Sequence, residues 1–120
     1  MGRFVVGVAA AVAAVSVVGV ADAAQRPTQH ALVAKVNVAA SEFKFVLNHK
    51  TAKRGVVVFK VTNVGALPHD FKIKGRKTRL LQHGDTATLR VTFLRKGHYP
   101  YLCTVSGHAA AGMKGTFTIT

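Results

Sequence analysis

The sequence predicts an all-β domain, an antiparallel sandwich or barrel. Three observations carry that prediction. Apolar and polar residues alternate at period two in segment after segment from Leu32 onward, the spacing of half-buried strands. Turn-forming clusters separate these segments: Asn48-His49-Lys50, Lys53-Arg54-Gly55, Asn63-Val64-Gly65, His83-Gly84-Asp85 and Lys96-Gly97. No long 3.6-residue period occurs beyond the first 23 residues.

Taken in order, Met1 to Ala23 stands apart. Arg3 supplies a positive start, and Phe4 to Ala21 is a run of 18 residues without a charge. Ala21-Asp22-Ala23 has the small-x-small pattern of a cleavage site, so residues 1–23 read as a signal peptide for export. The rival reading is an uncleaved membrane anchor, because 18 apolar residues lie at the lower limit for crossing a bilayer. Cleavage leaves 97 of the 120 residues as one domain, 24–120, large enough to fold without disulfides. Export places the chain in a periplasm, a cell envelope or the extracellular space.

A polar lead-in, residues 25–30, precedes the first strand. Leu32, Ala34, Val36 and Val38 then share one face, and Phe43, Phe45 and Leu47 form the next alternating set. Val57, Phe59 and Val61 follow, then Phe71 and Ile73, which oppose Asp70, Lys72 and Lys74. Ala87, Leu89, Val91 and Phe93 make a long strand. Tyr99, Tyr101 and Cys103 share a face, and Phe117 and Ile119 end the chain. Pro100 requires a position where its missing N–H faces no partner strand.

Composition narrows the function. There are 17 Lys and Arg against 4 Asp and Glu, a formal charge of +13. Glu42, Asp70 and Asp85 are scattered, which disfavours a carboxylate-based active site. No Ser-His-Asp arrangement, phosphate loop or Cys-x-x-Cys occurs. The single cysteine excludes an internal disulfide, and a free thiol in an oxidising compartment needs protection, by burial or by a metal.

The chemistry concentrates near the carboxy terminus. Cys103, His108 and Met113 fall in one loop between two strands, and His69 stands far upstream in Leu67-Pro-His-Asp-Phe71. A thiolate, two imidazoles and a thioether form the donor set of a blue-copper centre. Cu(I) favours soft sulfur and Cu(II) favours nitrogen, so a trigonal N₂S site with a distant thioether changes little when an electron arrives. Zinc accepts thiolate and imidazole too, but its structural sites rarely use methionine. His30, His49, His83 and His98 lack such partners.

With these residues in place, the chain resembles the cupredoxins, the plastocyanin- and azurin-like small blue-copper proteins. Glu42-Phe-Lys-Phe45, Val58-Phe-Lys-Val-Thr-Asn63, Pro68-His-Asp-Phe71, Gly97-His-Tyr-Pro-Tyr-Leu-Cys103, Gly107-His108 and Gly112-Met-Lys-Gly-Thr-Phe117 carry the resemblance. It implies a Greek-key β-sandwich of about seven to eight strands, with one type 1 copper ion held near one end by His69, Cys103, His108 and Met113. The ligand spacing departs from both named types. Plastocyanins have a shorter interval from cysteine to histidine, and azurins a shorter one from histidine to methionine. Many members also carry Asn where this chain has Asp70, a side chain that ties the ligand loops together. Asp70 serves that role if it accepts hydrogen bonds from Thr104.

The resulting expectation is an electron carrier and not an enzyme. Copper oxidases need further copper sites, with His-x-His pairs that are missing here. The alternative is a copper scavenging, storage or delivery protein of the envelope. The resemblance implies an exposed imidazole edge at His108, here ringed by small residues, as the electron port. The basic runs Lys72 to Arg79 and Lys50 to Arg54 point to an acidic redox partner or an anionic envelope surface. Export and the lack of a base-stacking motif argue against nucleic acid. The expected state is a monomer.

Overall fold

The computed structural model describes residues 33–120, together with residues 2, 3, 7 and 11–14. The predicted signal peptide, its cleavage site, the lead-in and Leu32 otherwise lie outside the described residues.

Nine strands run along the described chain: β1 (Ala34–Ser41), β2 (Lys44–Leu47), β3 (Thr51–Ala52), β4 (Gly55–Asn63), β5 (Lys72–Ile73), β6 (Arg76–Lys77), β7 (Thr86–Phe93), β8 (Gly97–Leu102) and β9 (Lys114–Ile119). They form a four-stranded sheet, ordered β2-β1-β4-β7, and a five-stranded sheet, ordered β3-β9-β8-β5-β6. This is an all-β Greek-key sandwich. The expectation of purely antiparallel pairing needs correction. β1 runs parallel to β4, and β3 parallel to β9, because the chain crosses between sheets before returning to a neighbour. The count exceeds seven to eight because β3, β5 and β6 are two-residue strands.

Alternation explains the long strands. In β4 and β7, Val57, Phe59, Val61, Leu89, Val91 and Phe93 point inward and are buried. Phe71, Ile73, Tyr101, Phe117 and Ile119 meet them from the other sheet. Phe59 anchors the middle, with ring centroids 5.2 Å from both Phe71 and Phe117. Each such side chain contributes about 1.5–3 kcal/mol on full burial, so the two sheets are held together mainly by this aromatic and aliphatic layer.

Two local readings also need correction. Phe43 lies in the two-residue turn between β1 and β2, with φ 54°, and not on the strand face shared by Phe45 and Leu47. Lys72 to Lys77 is a hairpin as well as a charge run. Lys74 and Gly75 form its tip with φ 50° and 71°, the positive pair that a type I′ turn demands. Pro100 sits in β8 opposite Thr116 of β9. On the other flank β5 pairs only with Tyr101 and Leu102, so among the described residues one side of Pro100 has no partner strand.

Strand direction positions the site. β1, β4 and β8 end, and β5, β7 and β9 begin, at the same pole of the sandwich. The core continues into that pole through a small second cluster of Ala40, Cys103 and Met113. Phe45 packs against both clusters.

Candidate metal centre

His69 reaches the pole on an extended segment. Its N–H donates to the Leu81 carbonyl at 3.0 Å, and the Leu81 N–H returns a bond to the His69 carbonyl at 2.8 Å. This isolated bridge fixes the backbone beside β5. Asn63, at the end of β4, fixes the approach. Its buried amide donates to the carbonyls of Leu67 and Leu81, both at 2.8 Å, and its side-chain oxygen accepts from the Gly65 N–H at 2.9 Å. One side chain thus ties the loop before His69 to the strand bridge after it.

The other three residues come from the connection between β8 and β9. The Cys103 N–H donates to the Met113 carbonyl, the Met113 N–H to the His108 carbonyl and the His108 N–H to the Val105 carbonyl. The loop therefore satisfies its own backbone as a chain of tight turns. Gly107 and Gly112, at φ 81° and 116°, supply conformations that other residues adopt at a cost.

All four predicted residues are buried: His69 and Met113 at 0% exposure, Cys103 at 1% and His108 at 8%. The structure brings three donor atoms to one point. Cys103 Sγ lies 3.6 Å from His108 Nδ1 and 4.0 Å from His69 Nδ1, and the two Nδ1 atoms are 3.1 Å apart. Met113 is buried in the same small cluster as Cys103. Burial pushes the Cys103 thiol up, so a metal must displace its proton on binding.

Two imidazole nitrogens at that separation have two stable arrangements. One donates its proton to the other, or both carry the proton on Nε2 and turn lone pairs toward a shared cation. The second arrangement, beside a thiolate and a thioether, suits copper.

Asp70 ties the two ligand segments together, as the resemblance implies. Its carboxylate accepts from the Thr104 N–H at 2.6 Å and also from the Thr104 hydroxyl. Asp70 is 4% exposed, so it belongs to the interior and not to the solvated face that the alternation in Asp70, Lys72 and Lys74 suggests. It contributes two hydrogen bonds that join the residue after His69 to the residue after Cys103.

Sequence reasoning missed two other contributors. Asn63 registered as a turn former and as the end of the run Val58-Phe-Lys-Val-Thr-Asn63, without a role at the site. Glu42 registered as one of the scattered acids and as the start of the run Glu42-Phe-Lys-Phe45, without a role at the site, yet its Oε1 accepts from the Leu67 N–H at 2.6 Å and lies 3.4 Å from His69 Nε2. The Leu67 bond holds the Glu42 carboxyl below its ordinary range. No local signal could reveal Glu42, because its contacts are with residues more than twenty positions away. Its neighbour Phe43 packs against His108, with ring centroids 5.1 Å apart and planes at 73°. The remaining histidines lie apart from the site where they are described. His83 Nδ1 meets the Gly65 carbonyl at 2.7 Å, and His98 pairs with the Thr118 hydroxyl on the sandwich surface. His30 lies outside the described residues. Among the described residues, His69, Cys103 and His108 form the cluster of groups able to hold a metal.

Comparison with known proteins agrees with this geometry. Auracyanin-B of Chloroflexus aurantiacus is 42% identical over 43 residues, a stretch that is 36% of this chain and 18% of that protein. The chain is similar in fold to the dithionite-reduced auracyanin of Roseiflexus castenholzii, with a TM-score of 0.64, 23% identity, and coverage of 72% of this chain and 96% of that one. Auracyanin A, a "blue" copper protein of Chloroflexus aurantiacus, gives a TM-score of 0.62 at 16% identity over 73% of this chain and 99% of its own. A multicopper oxidase shares the fold over 72% of this chain but only 44% of its own length, at 14% identity and a TM-score of 0.59. The profile of the copper binding proteins of the plastocyanin/azurin family matches residues 28–120, and the chain belongs to that family.

Proposed function

We propose that the protein carries single electrons between redox partners in the cell envelope or outside the cell. His69 Nδ1, His108 Nδ1 and Cys103 Sγ would hold one copper ion, and Met113, buried beside Cys103, would add a weak thioether donor. The observation that carries the reading is the convergence of three donor atoms, all within 4.8 Å of one another, inside a pole already tied by side-chain and backbone hydrogen bonds. When bound, copper supplies a one-electron Cu(II)/Cu(I) couple. The residues do the rest. Burial of all four side chains excludes water as an extra ligand. The Asp70–Thr104 tie and the internal bonds of residues 103–113 resist movement when charge changes, which favours fast electron exchange over metal release.

His108 is the proposed port. It is the least buried of the four, Phe43 rests against it, and Gly107 and residues 110–112 are exposed around it. Small side chains there let a partner approach closely. The reading is a carrier and not an enzyme. Its fold likeness to a multicopper oxidase covers less than half of that protein, and the described residues of this chain hold one candidate metal cluster.

The proposed partner presents an acidic surface, met by the exposed Lys72, Arg76 and Lys77 on the β5–β6 hairpin. Lys74 has a second duty. Its Nζ donates to the Thr92 carbonyl at 2.5 Å and lies 5.5 Å from the Phe93 ring centre, so it also ties the hairpin to β7.

Adding Cu(II) to the protein tests the central reading. Strong thiolate-to-copper absorption in the visible, with narrow parallel copper hyperfine splitting in EPR, is expected, and Cys103→Ala abolishes both. A pale, tetragonal-type spectrum overturns it. Reversible voltammetry without metal loss separates a carrier from a storage or delivery protein. For the partner, the doubly reversed Arg76→Glu, Lys77→Glu protein keeps its spectrum but transfers electrons to an acidic protein more slowly. The steering fades as the Debye length contracts from about 30 Å at 0.01 M salt to about 3 Å at 1 M. Rates independent of salt, or equal for both proteins, overturn that part.

A further inference from the structure

The outer nitrogen of His69 poses a problem that the four ligands do not solve. When Nδ1 turns its lone pair to a metal shared with Cys103 and His108, the ring proton belongs on Nε2. That atom is buried and has no hydrogen-bond partner among the described residues, and an unmade bond on a buried donor is costly. The group facing it is the Glu42 carboxylate, with Oε1 at 3.4 Å. This acid arrives from the opposite sheet, on the turn between β1 and β2.

Its placement is specific. The Leu67 N–H holds Oε1 at 2.6 Å, two residues before His69. Gly65 leaves the space: a Cβ there would stand 2.6 Å from Oε1 and 2.7 Å from Oε2 of Glu42. No positive φ forces glycine at this position, so the missing side chain is what admits the carboxylate.

We propose, on the copper reading above, that Glu42 is a positioning residue for His69: its carboxylate accepts the Nε2–H, locks the ring with Nδ1 toward the metal, and places a negative charge that favours Cu(II) over Cu(I). A carboxylate behind a metal-bound imidazole fixes its tautomer and raises its basicity, and removing such a partner typically costs about 10–100-fold in metal affinity. A stronger imidazole donor and a nearby anion both stabilise the higher charge on the metal, so Glu42 holds the reduction potential down.

Two independent changes test this. Glu42→Gln keeps the shape and an acceptor oxygen but removes the charge. Gly65→Ala keeps the charge but drives the carboxylate off its seat with one methyl group. Asp85→Asn serves as the control, since Asp85 is bound by the Gln82 N–H and Arg79 and not by a ligand. The readouts are the reduction potential and, in the diamagnetic Cu(I) protein, the proton resonance of His69 Nε2–H. Both Glu42→Gln and Gly65→Ala remain blue. Each shifts the ratio of Cu(II) to Cu(I) affinity about tenfold toward Cu(I), a rise of about 59 mV for a one-electron couple. In both, the Nε2–H resonance moves upfield and exchanges faster, while Asp85→Asn changes neither readout. If wild type is blue but both variants keep the wild-type potential and resonance, the role of Glu42 is overturned and the copper reading stands. An equal shift in Asp85→Asn also overturns it, since the effect would then be one of net charge. Should Glu42→Gln fail to fold, Gly65→Ala decides alone. A wild type without the blue band overturns the copper reading itself.

Discussion

His69 and His108 bring the same atom to the same point from unlike surroundings. His69 is fully enclosed, set in an extended backbone by a two-way bridge to Leu81 and backed by Glu42. His108 sits in a run of turns that closes on itself, keeps 8% of its surface, and has the Phe43 ring for a steeply inclined neighbour. The first is built into the sandwich and the second is carried by a loop laid over its end. The difference teaches how one centre can be both rigid and reachable. The enclosed imidazole fixes the geometry, and the loop imidazole offers an edge to the outside.

The sharpest way to break this contrast is to delete each ring in turn. In His108→Gly the vacated place opens near the surface, so added imidazole restores the blue band. In His69→Gly the gap is sealed inside the protein, and added imidazole leaves the colour absent. Absorbance during an imidazole titration of both variants measures the effect, and equal rescue removes the distinction.

The next largest effect falls on the tie between the two regions. Asp70→Ala leaves two Thr104 donors without their buried acceptor. It should lower stability by about 2–3 kcal/mol, seen as a reduced urea midpoint of the metal-free protein. A loss well under 1 kcal/mol would mean that the two segments hold their places independently.

Met113→Leu probes the loop without touching either ring. A similar volume keeps the packing cost under about 1.5 kcal/mol. The blue band persists and the potential rises, because a weak donor to Cu(II) is lost. Loss of copper binding would instead make Met113 a primary ligand.

The smallest effect is expected at the rim. Phe43 holds φ 54°, a left-handed conformation that costs an ordinary residue roughly 1–2 kcal/mol. Phe43→Gly relieves that strain and removes the packed ring, so stability should stay within about 1 kcal/mol of wild type. The ring protons of His108 in the Cu(I) protein should lose an aromatic shift while those of His69 keep theirs. If both sets move together, Phe43 supports the whole pole and not one imidazole.

The sandwich was legible where a strand is long and half-buried. In β4 and β7 the inward Val57, Phe59, Val61, Leu89, Val91 and Phe93 follow period two without a break. The parallel pairing of β1 with β4 was not legible, because alternation reports which face is buried and not which strand lies alongside. The β5–β6 hairpin was hidden because its strands are too short for a period, and its positive-φ tip places a lysine where Asn or Asp commonly stands. The four buried residues of the site were legible from their donor chemistry and their spacing. Asp70 was foreseen by the resemblance alone. Glu42 and Asn63 were not, since their roles arise from contacts that only the folded chain creates, and a lone acid or amide in sequence carries no mark of such contacts.

The turn at Glu42 and Phe43 has a consequence for how the chain loses its structure. It belongs to the four-stranded sheet, yet it touches both imidazoles, while His69 and Cys103 flank strands of the other sheet. These segments lie far apart along the chain, and bringing them together requires several long loop closures. No single hairpin can assemble the pole, so a half-unfolded chain should have no coloured intermediate. Loss of the thiolate band would then trace the separation of the two sheets and not the fraying of one loop. The free energy of metal binding, which favours only the state that binds, would fall on the cooperative unit as a whole.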